Sequence, residues 1–126
     1  MLNTPPVFAV YVVMLTLRWL KNLGGVAAIE EMNNAKAELF YKTLDSLPLF
    51  KAVVAKEDRS YMNAVFVMDD PDLEKEFLDL CKKEGMIGVK GHRSVGGFRV
   101  SMYNALQYES VVAITDLMKE FSKKKG

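Results

Sequence analysis

Apolar residues recur along this chain in two rhythms, and the alternation between the rhythms outlines its elements. From Val7 to Leu17 (VFAVYVVMLTL) nearly every position is apolar. Thr4-Pro5 ahead of this run has the form of a helix start, a capping hydroxyl followed by a proline whose missing N–H would have been unpaired anyway. The spacing predicts a helix to about Asn22, apolar almost all round and therefore buried on more than one side. Leu23-Gly24-Gly25 ends it. A second helix is expected from Val26 to Leu47, where Ile29, Met32, Leu39, Phe40, Thr43, Leu44 and Leu47 fall mostly three and four apart. Pro48 stops it, and Glu30, Glu31, Lys36, Glu38 and Lys42 are assigned to its solvated face.

The rhythm then shortens. Phe50–Ala55 and Tyr61–Met68 are rich in β-branched and aromatic residues and flank the polar turn 56–60, which predicts a hairpin. Asp70-Pro71 repeats the cap-plus-proline signal, and Leu73, Phe77, Leu80 and Cys81 form one apolar helical stripe before Gly85. Met86–Val89 reads as a short strand, joined to Tyr61–Met68 by a right-handed helical crossover. In Gly97–Tyr103, period two places Phe98, Val100 and Met102 on one face and Arg99, Ser101 and Tyr103 on the other. A last helix is expected over Tyr108–Lys123, with Val111, Ile114, Leu117, Met118 and Phe121 inward. The order describes one α+β domain over residues 1–126: two layers, helices packed on a small mixed or antiparallel sheet.

Composition narrows the class. With 126 residues, half of them hydrophobic and 26% charged, the chain has the balance of an ordinary globular domain. A net charge of +1 gives no field that would draw nucleic acid or a membrane, so any anion binding is local. Cys81 is the only cysteine, which excludes an internal disulfide, favours a reducing intracellular compartment, and on an apolar stripe reads as a small hydrophobe. The Val7–Leu17 run is too short to span a bilayer and lacks a basic stretch before it.

Chemistry concentrates in Lys90–Ala105, KGHRSVGGFRVSMYNA. One imidazole, two guanidiniums and three glycines lie within the nine residues from Gly91 to Arg99. Glycines let a backbone run close to a ligand, and arginine presents a planar fork suited to carboxylate or phosphate. From the residues alone, His92, Arg93 and Arg99 form either an anion-binding loop or a solvated surface turn. One histidine and a buried cysteine fall short of a metal-ligand set, and Ser94 beside His92 lacks the orienting acid of a hydrolase. GHRSVGG is not the dinucleotide fingerprint. Lys90 reads as solvated, and Asn3 and Thr4 as helix capping.

These residues also carry a resemblance. Lys90-Gly91-His92-Arg93 with Gly96-Gly97, Arg99, Ser101 and Tyr103-Asn104-Ala105 resembles the C-terminal signature of the phosphoserine aminotransferase family, among the class-V pyridoxal-phosphate aminotransferases. Asn3-Thr4-Pro5-Pro6 with Phe8, Trp19-Leu20-Lys21, Gly24-Gly25, Lys36-Ala37-Glu38, Arg59-Ser60, Met62-Asn63 and Glu109 follow in the same order, so the likeness covers essentially the whole chain. Phe98, Val100, Leu106 and Ser110 depart from the family pattern without removing a charged contact.

The resemblance implies the small domain of the aspartate aminotransferase fold type, from a cytoplasmic homodimer of serine biosynthesis. Such an enzyme interconverts 3-phosphohydroxypyruvate plus glutamate with phosphoserine plus 2-oxoglutarate, using pyridoxal phosphate. By position, Arg99 would hold the substrate α-carboxylate and His92 and Arg93 the distal phosphate or carboxylate. Asn3 and Thr4 would reach the cofactor phosphate across the dimer. The imine-forming lysine and the acid on the pyridine nitrogen belong to a large domain ahead of residue 1, so the chain alone is expected to hold no catalytic residue and to be inactive. A free-standing anion-binding or metabolite-sensing module is the alternative.

Overall fold

Seven phenylalanines punctuate the sequence, and six of them converge. In the computed structural model, which describes residues 3–125, Phe66 and Phe98 stack at 4.9 Å between ring centroids, with Phe77 edge-on to Phe98 at 5.4 Å. Phe40, Phe50 and Phe121 close around them at 5.1–5.5 Å from their nearest phenylalanine partners. Offset and edge-on pairs of this kind add to the stabilisation that area burial gives. The chain divides into two compact units, Met1–Met32 and Asn33–Gly126.

In the first unit, α1 spans Val7–Asn22. It begins after Pro6 with no side-chain cap, so Thr4 does not cap it as expected: the helix starts beyond the second proline, and Thr4 lies too far back to reach its first free N–H groups. The expected burial is also absent. No residue of α1 is buried, and Val7, Phe8, Val10, Tyr11, Val13 and Leu17 are exposed. An apolar stripe that runs all round needs cover on every side, and here none of its sides is closed off from solvent. Among the described residues no single helix is long and apolar enough to cross a membrane.

Helix α2, Gly25–Ser46, begins in the first unit and ends in the second. The second unit continues with β1 (Lys51–Ala52), a 3-10 turn (Lys56–Asp58), β2 (Asn63–Val67), α3 (Pro71–Lys83), β3 (Phe98–Ser101) and α4 (Tyr108–Lys125). Asp70 caps α3 as its sequence predicts, its carboxylate accepting from the N–H groups of Asp72 and Leu73. The sheet is antiparallel in the order β1-β2-β3, with Ala52 opposite Phe66 and Val65 opposite Arg99. The hairpin is therefore present, and of the two sheet types expected, the antiparallel one forms.

Met86–Val89 is not a strand. Gly88, at φ +83°, breaks the extended run, and only the bond from Arg99 N–H to the Val89 carbonyl (2.7 Å) and a single bridge between Lys90 and Phe98 tie the segment to β3. The expected crossover is absent with it, since β2 pairs directly with β3.

One sheet face, bearing Ala64, Phe66, Phe98 and Val100, is buried against Phe40 of α2 and Phe77 of α3, with Phe121 of α4 packed on Phe77. Alternation leaves Asn63, Val65, Val67, Arg99 and Ser101 on the other face, partly or wholly exposed. The result is an α+β unit of two layers, helices on one side and an uncovered sheet face on the other. That free face presents the candidate site.

Candidate functional site

Two backbone bonds build the glycine loop. Arg99 N–H donates to the Val89 carbonyl at 2.7 Å and Gly91 N–H to the Gly97 carbonyl at 2.8 Å, pinching the stem where the chain enters and leaves. The pinch demands glycine. A Cβ on Gly91 would lie 2.0 Å from the Gly96 carbonyl oxygen, and one on Gly97, at φ +61°, would lie 2.6 Å from the Phe66 carbonyl oxygen. Between them the His92 carbonyl accepts from the N–H groups of Val95 (3.0 Å) and Gly96 (2.8 Å), folding residues 92–96 into a tight turn.

That turn exposes His92 and Arg93 at its tip, while Arg99 stands exposed on the strand leaving it. All three expected anion ligands thus belong to one loop and its stem. The Nδ1 atom of His92 accepts from Ser94 N–H at 3.3 Å and lies 2.8 Å from the Ser94 hydroxyl. With Nδ1 turned to Ser94 in this way, Nε2 is the ring nitrogen that has no partner among the described residues. No carboxylate partners the ring among the described residues, which leaves the His92–Ser94 pair short of a hydrolytic triad.

The arginines differ in what holds them. Arg59 is locked bidentately to Asp45 at 2.9 and 2.7 Å and lies 4.7 Å over the Tyr41 ring. Its guanidinium holds the Asp45 carboxyl below the usual carboxylate range. Among the described residues, the guanidiniums of Arg93 and Arg99 enter no ion pair. Beside Arg99 a cavity of about 360 Å³ opens between β3, the 84–89 segment and α4, lined by Glu84, Val89, Ser101, Leu106 and Ser110. The loop therefore offers exposed N–H donors and positive charge, with Ser94 as its one hydroxyl, an arrangement that can grip an anion.

Asn3 and Thr4, the expected cofactor-phosphate ligands, lie in the first unit on the exposed stretch before α1. Cys81 is buried in α3, and burial pushes its thiol up to about 11, in keeping with a packing role.

Sequence reasoning missed the residues that brace this site from behind. Lys36, assigned to a solvated face, is only 1% exposed, and its Nζ donates to the carbonyls of Met102 (3.2 Å), Tyr103 (2.9 Å) and Leu106 (3.1 Å). It gathers the turn that follows β3. Burial pulls its pKa down, while carbonyl dipoles favour the ammonium. One turn earlier Asn33 donates to the Asn104 side chain at 2.7 Å. The available signal was spacing: Asn33, Lys36, Ala37, Phe40 and Leu44 make one helical stripe, and all are buried. Ser101 and Tyr103 join a third such contact, each bonded to Asn63 at 3.0 and 3.1 Å.

Known proteins match both the sequence and this architecture. The family described as aminotransferase class-V matches residues 1–114. A phosphoserine aminotransferase of Porphyromonas gingivalis is 56% identical over 126 residues, and one of Flavobacterium johnsoniae 52% over 124. The solved structure of phosphoserine aminotransferase from Bacillus circulans subsp. alkalophilus superposes with a TM-score of 0.94 at 41% identity over 98% of this chain. The structure of PLP-bound phosphoserine aminotransferase from Trichomonas vaginalis gives 0.86 at 39% over 94%. The chain spans 34–35% of the length of these relatives.

Proposed function

This chain belongs to the class-V aminotransferase family, and we propose that it is the C-terminal small domain of a phosphoserine aminotransferase, residues 1–126 forming the part that recognises substrate anions. The whole enzyme exchanges an amino group between glutamate and 3-phosphohydroxypyruvate, giving phosphoserine and 2-oxoglutarate, as a cytoplasmic homodimer. The observation that carries this reading is the pinched loop with an exposed imidazole and two guanidiniums that enter no ion pair among the described residues. Each of the four substrates bears an α-carboxylate at one end and a phosphate or second carboxylate at the other. Arg99 takes the α-carboxylate through its planar fork, and His92 and Arg93 take the distal anion.

The residues present fit part of a pyridoxal-phosphate site. Asn3 and Thr4 are exposed and supply an amide and a hydroxyl, donor types that a phosphate accepts from. Lys36, the one buried lysine among the described residues, has its Nζ committed to three carbonyls and does not fit the imine-forming role. Pyridoxal phosphate, when bound, supplies the electron sink for transamination. This chain's own side chains bind and orient the substrate anions, and the reacting lysine belongs to the rest of the enzyme. The isolated chain therefore binds substrates weakly and turns none over.

A chimera tests the reading. Exchanging this chain for the matching 126 residues of the Porphyromonas gingivalis enzyme should leave a phosphoserine aminotransferase, and Arg99→Ala should lower its kcat/KM by roughly two orders of magnitude, the loss of a bidentate charged contact. A folded, cofactor-loaded chimera that does not transaminate, or one indifferent to Arg99→Ala, overturns it.

A further inference from the structure

Along the uncovered face of the sheet, a hydrogen-bonded chain runs in one direction. The Ser101 hydroxyl donates to the Asn63 side-chain carbonyl at 3.0 Å, and the Asn63 amide nitrogen donates to the Tyr103 phenol oxygen at 3.1 Å. Each donor in this series meets an acceptor until the last. The phenol oxygen is occupied as an acceptor, so its own O–H remains as a donor, and Tyr103 is 59% exposed. The side chain is also held at both ends. Its phenol is fixed by Asn63, while its carbonyl is fixed by the Lys36 ammonium at 2.9 Å.

Register places Asn63, the residue that holds this donor, diagonal to Arg99, while Tyr103 itself follows Arg99 by four residues. Asn63 pairs with Ser101 and Val65 with Arg99, so Asn63 and Arg99 are diagonal neighbours on one face, about 7–8 Å apart between Cα atoms. We propose that the Tyr103 hydroxyl is a second donor to the carboxylate gripped by Arg99, held in place by the Asn63–Ser101 pair. A carboxylate has about four lone-pair sites. It can accept both N–H groups of a guanidinium fork and still take a third bond from a hydroxyl on its flank. The arrangement favours a planar anion lying across the strands, because the fork and the phenol approach it from different strand positions. This inference rests on the proposed role of Arg99, and the experiment separates the two.

The full 126-residue chain, labelled for NMR, is titrated with glutarate up to 100 mM. Arg99 Nε–H and the Tyr103 ring are expected to shift together on one saturable curve with a dissociation constant on the order of millimolar, as suits a partly solvated ion contact. Tyr103→Phe, which keeps the ring and removes only the donor, should weaken binding about fivefold. Asn63→Ala, which frees the phenol, should weaken it to a similar extent while leaving Arg99 in place. Binding that survives Arg99→Ala unchanged, or the absence of any saturable shift, overturns the Arg99 reading and this inference with it. Binding that needs Arg99 but is equally tight in Tyr103→Phe overturns this inference alone.

Discussion

The ammonium of Lys36 lies 2.9 Å from the carbonyl oxygen of Tyr103, across 67 residues of chain. With the Met102 and Leu106 carbonyls it forms a three-acceptor cage around a buried positive charge. A buried ion is tolerated only when each of its hydrogens finds a partner, and here the count of three closes.

Removing that charge should be costly. Lys36→Met keeps most of the side-chain volume but strands the Met102 and Leu106 carbonyls and leaves that of Tyr103 with the Leu106 N–H alone. We expect a loss of about 2–4 kcal/mol in urea unfolding, the range for leaving several buried polar groups unsatisfied. Lys36→Arg should recover little of it, since a planar fork does not match three convergent acceptors.

The stem of the loop gives a second expectation. Gly91→Ala introduces a methyl group 2.0 Å from the Gly96 carbonyl oxygen, a contact that only a backbone shift can relieve. The Gly91–Gly97 bond should open, and faster hydrogen exchange at the Gly91 amide would report it. The helices and their aromatic core should keep their native chemical shifts, so the damage stays at the loop.

Cys81 sets an alkaline limit. Its folded pKa of about 11 stands above the ordinary 9.0. Below pH 9 the thiol is protonated in both states and contributes no pH dependence. Between pH 9 and 11 the unfolded chain gives up the proton while the folded chain keeps it, so stability falls as pH rises, by about 2–3 kcal/mol over that window. The lowered pKa of Lys36 acts in the opposite sense, because the unfolded state there binds more protons. Comparing Cys81→Ala with the native chain isolates the cysteine: the variant should lose the downward slope. The native thiol should also resist disulfide reagents at pH 8 until urea unfolds the chain.

The elements most legible in the sequence were those whose signals are local. Asp70-Pro71 announces α3 through a carboxylate that can reach the next free N–H groups, and Phe98, Val100 and Met102 announce β3 because strand geometry enforces period two. Arg99 was correctly set on the outer face by the same count. What failed to show were relationships that need two distant segments. Lys36 looks like surface by residue type, and only the carbonyls near residue 103 make its burial tolerable. Met86–Val89 has strand composition, but Gly88 turns it away from β3 before a ladder can form. The Asn63 contacts depend on a register that no periodicity displays.

The pinched stem at Gly91 and Gly97 has an evolutionary consequence. Two positions of the loop cannot drift, because any side chain there strikes backbone, yet the tip residues between them are exposed and touch mainly one another. Such a loop is a fixed frame with replaceable contents. New charges can be tried at 92–95 without unsettling the sheet, so a change of ligand is a short mutational walk while a change of loop shape is a long one.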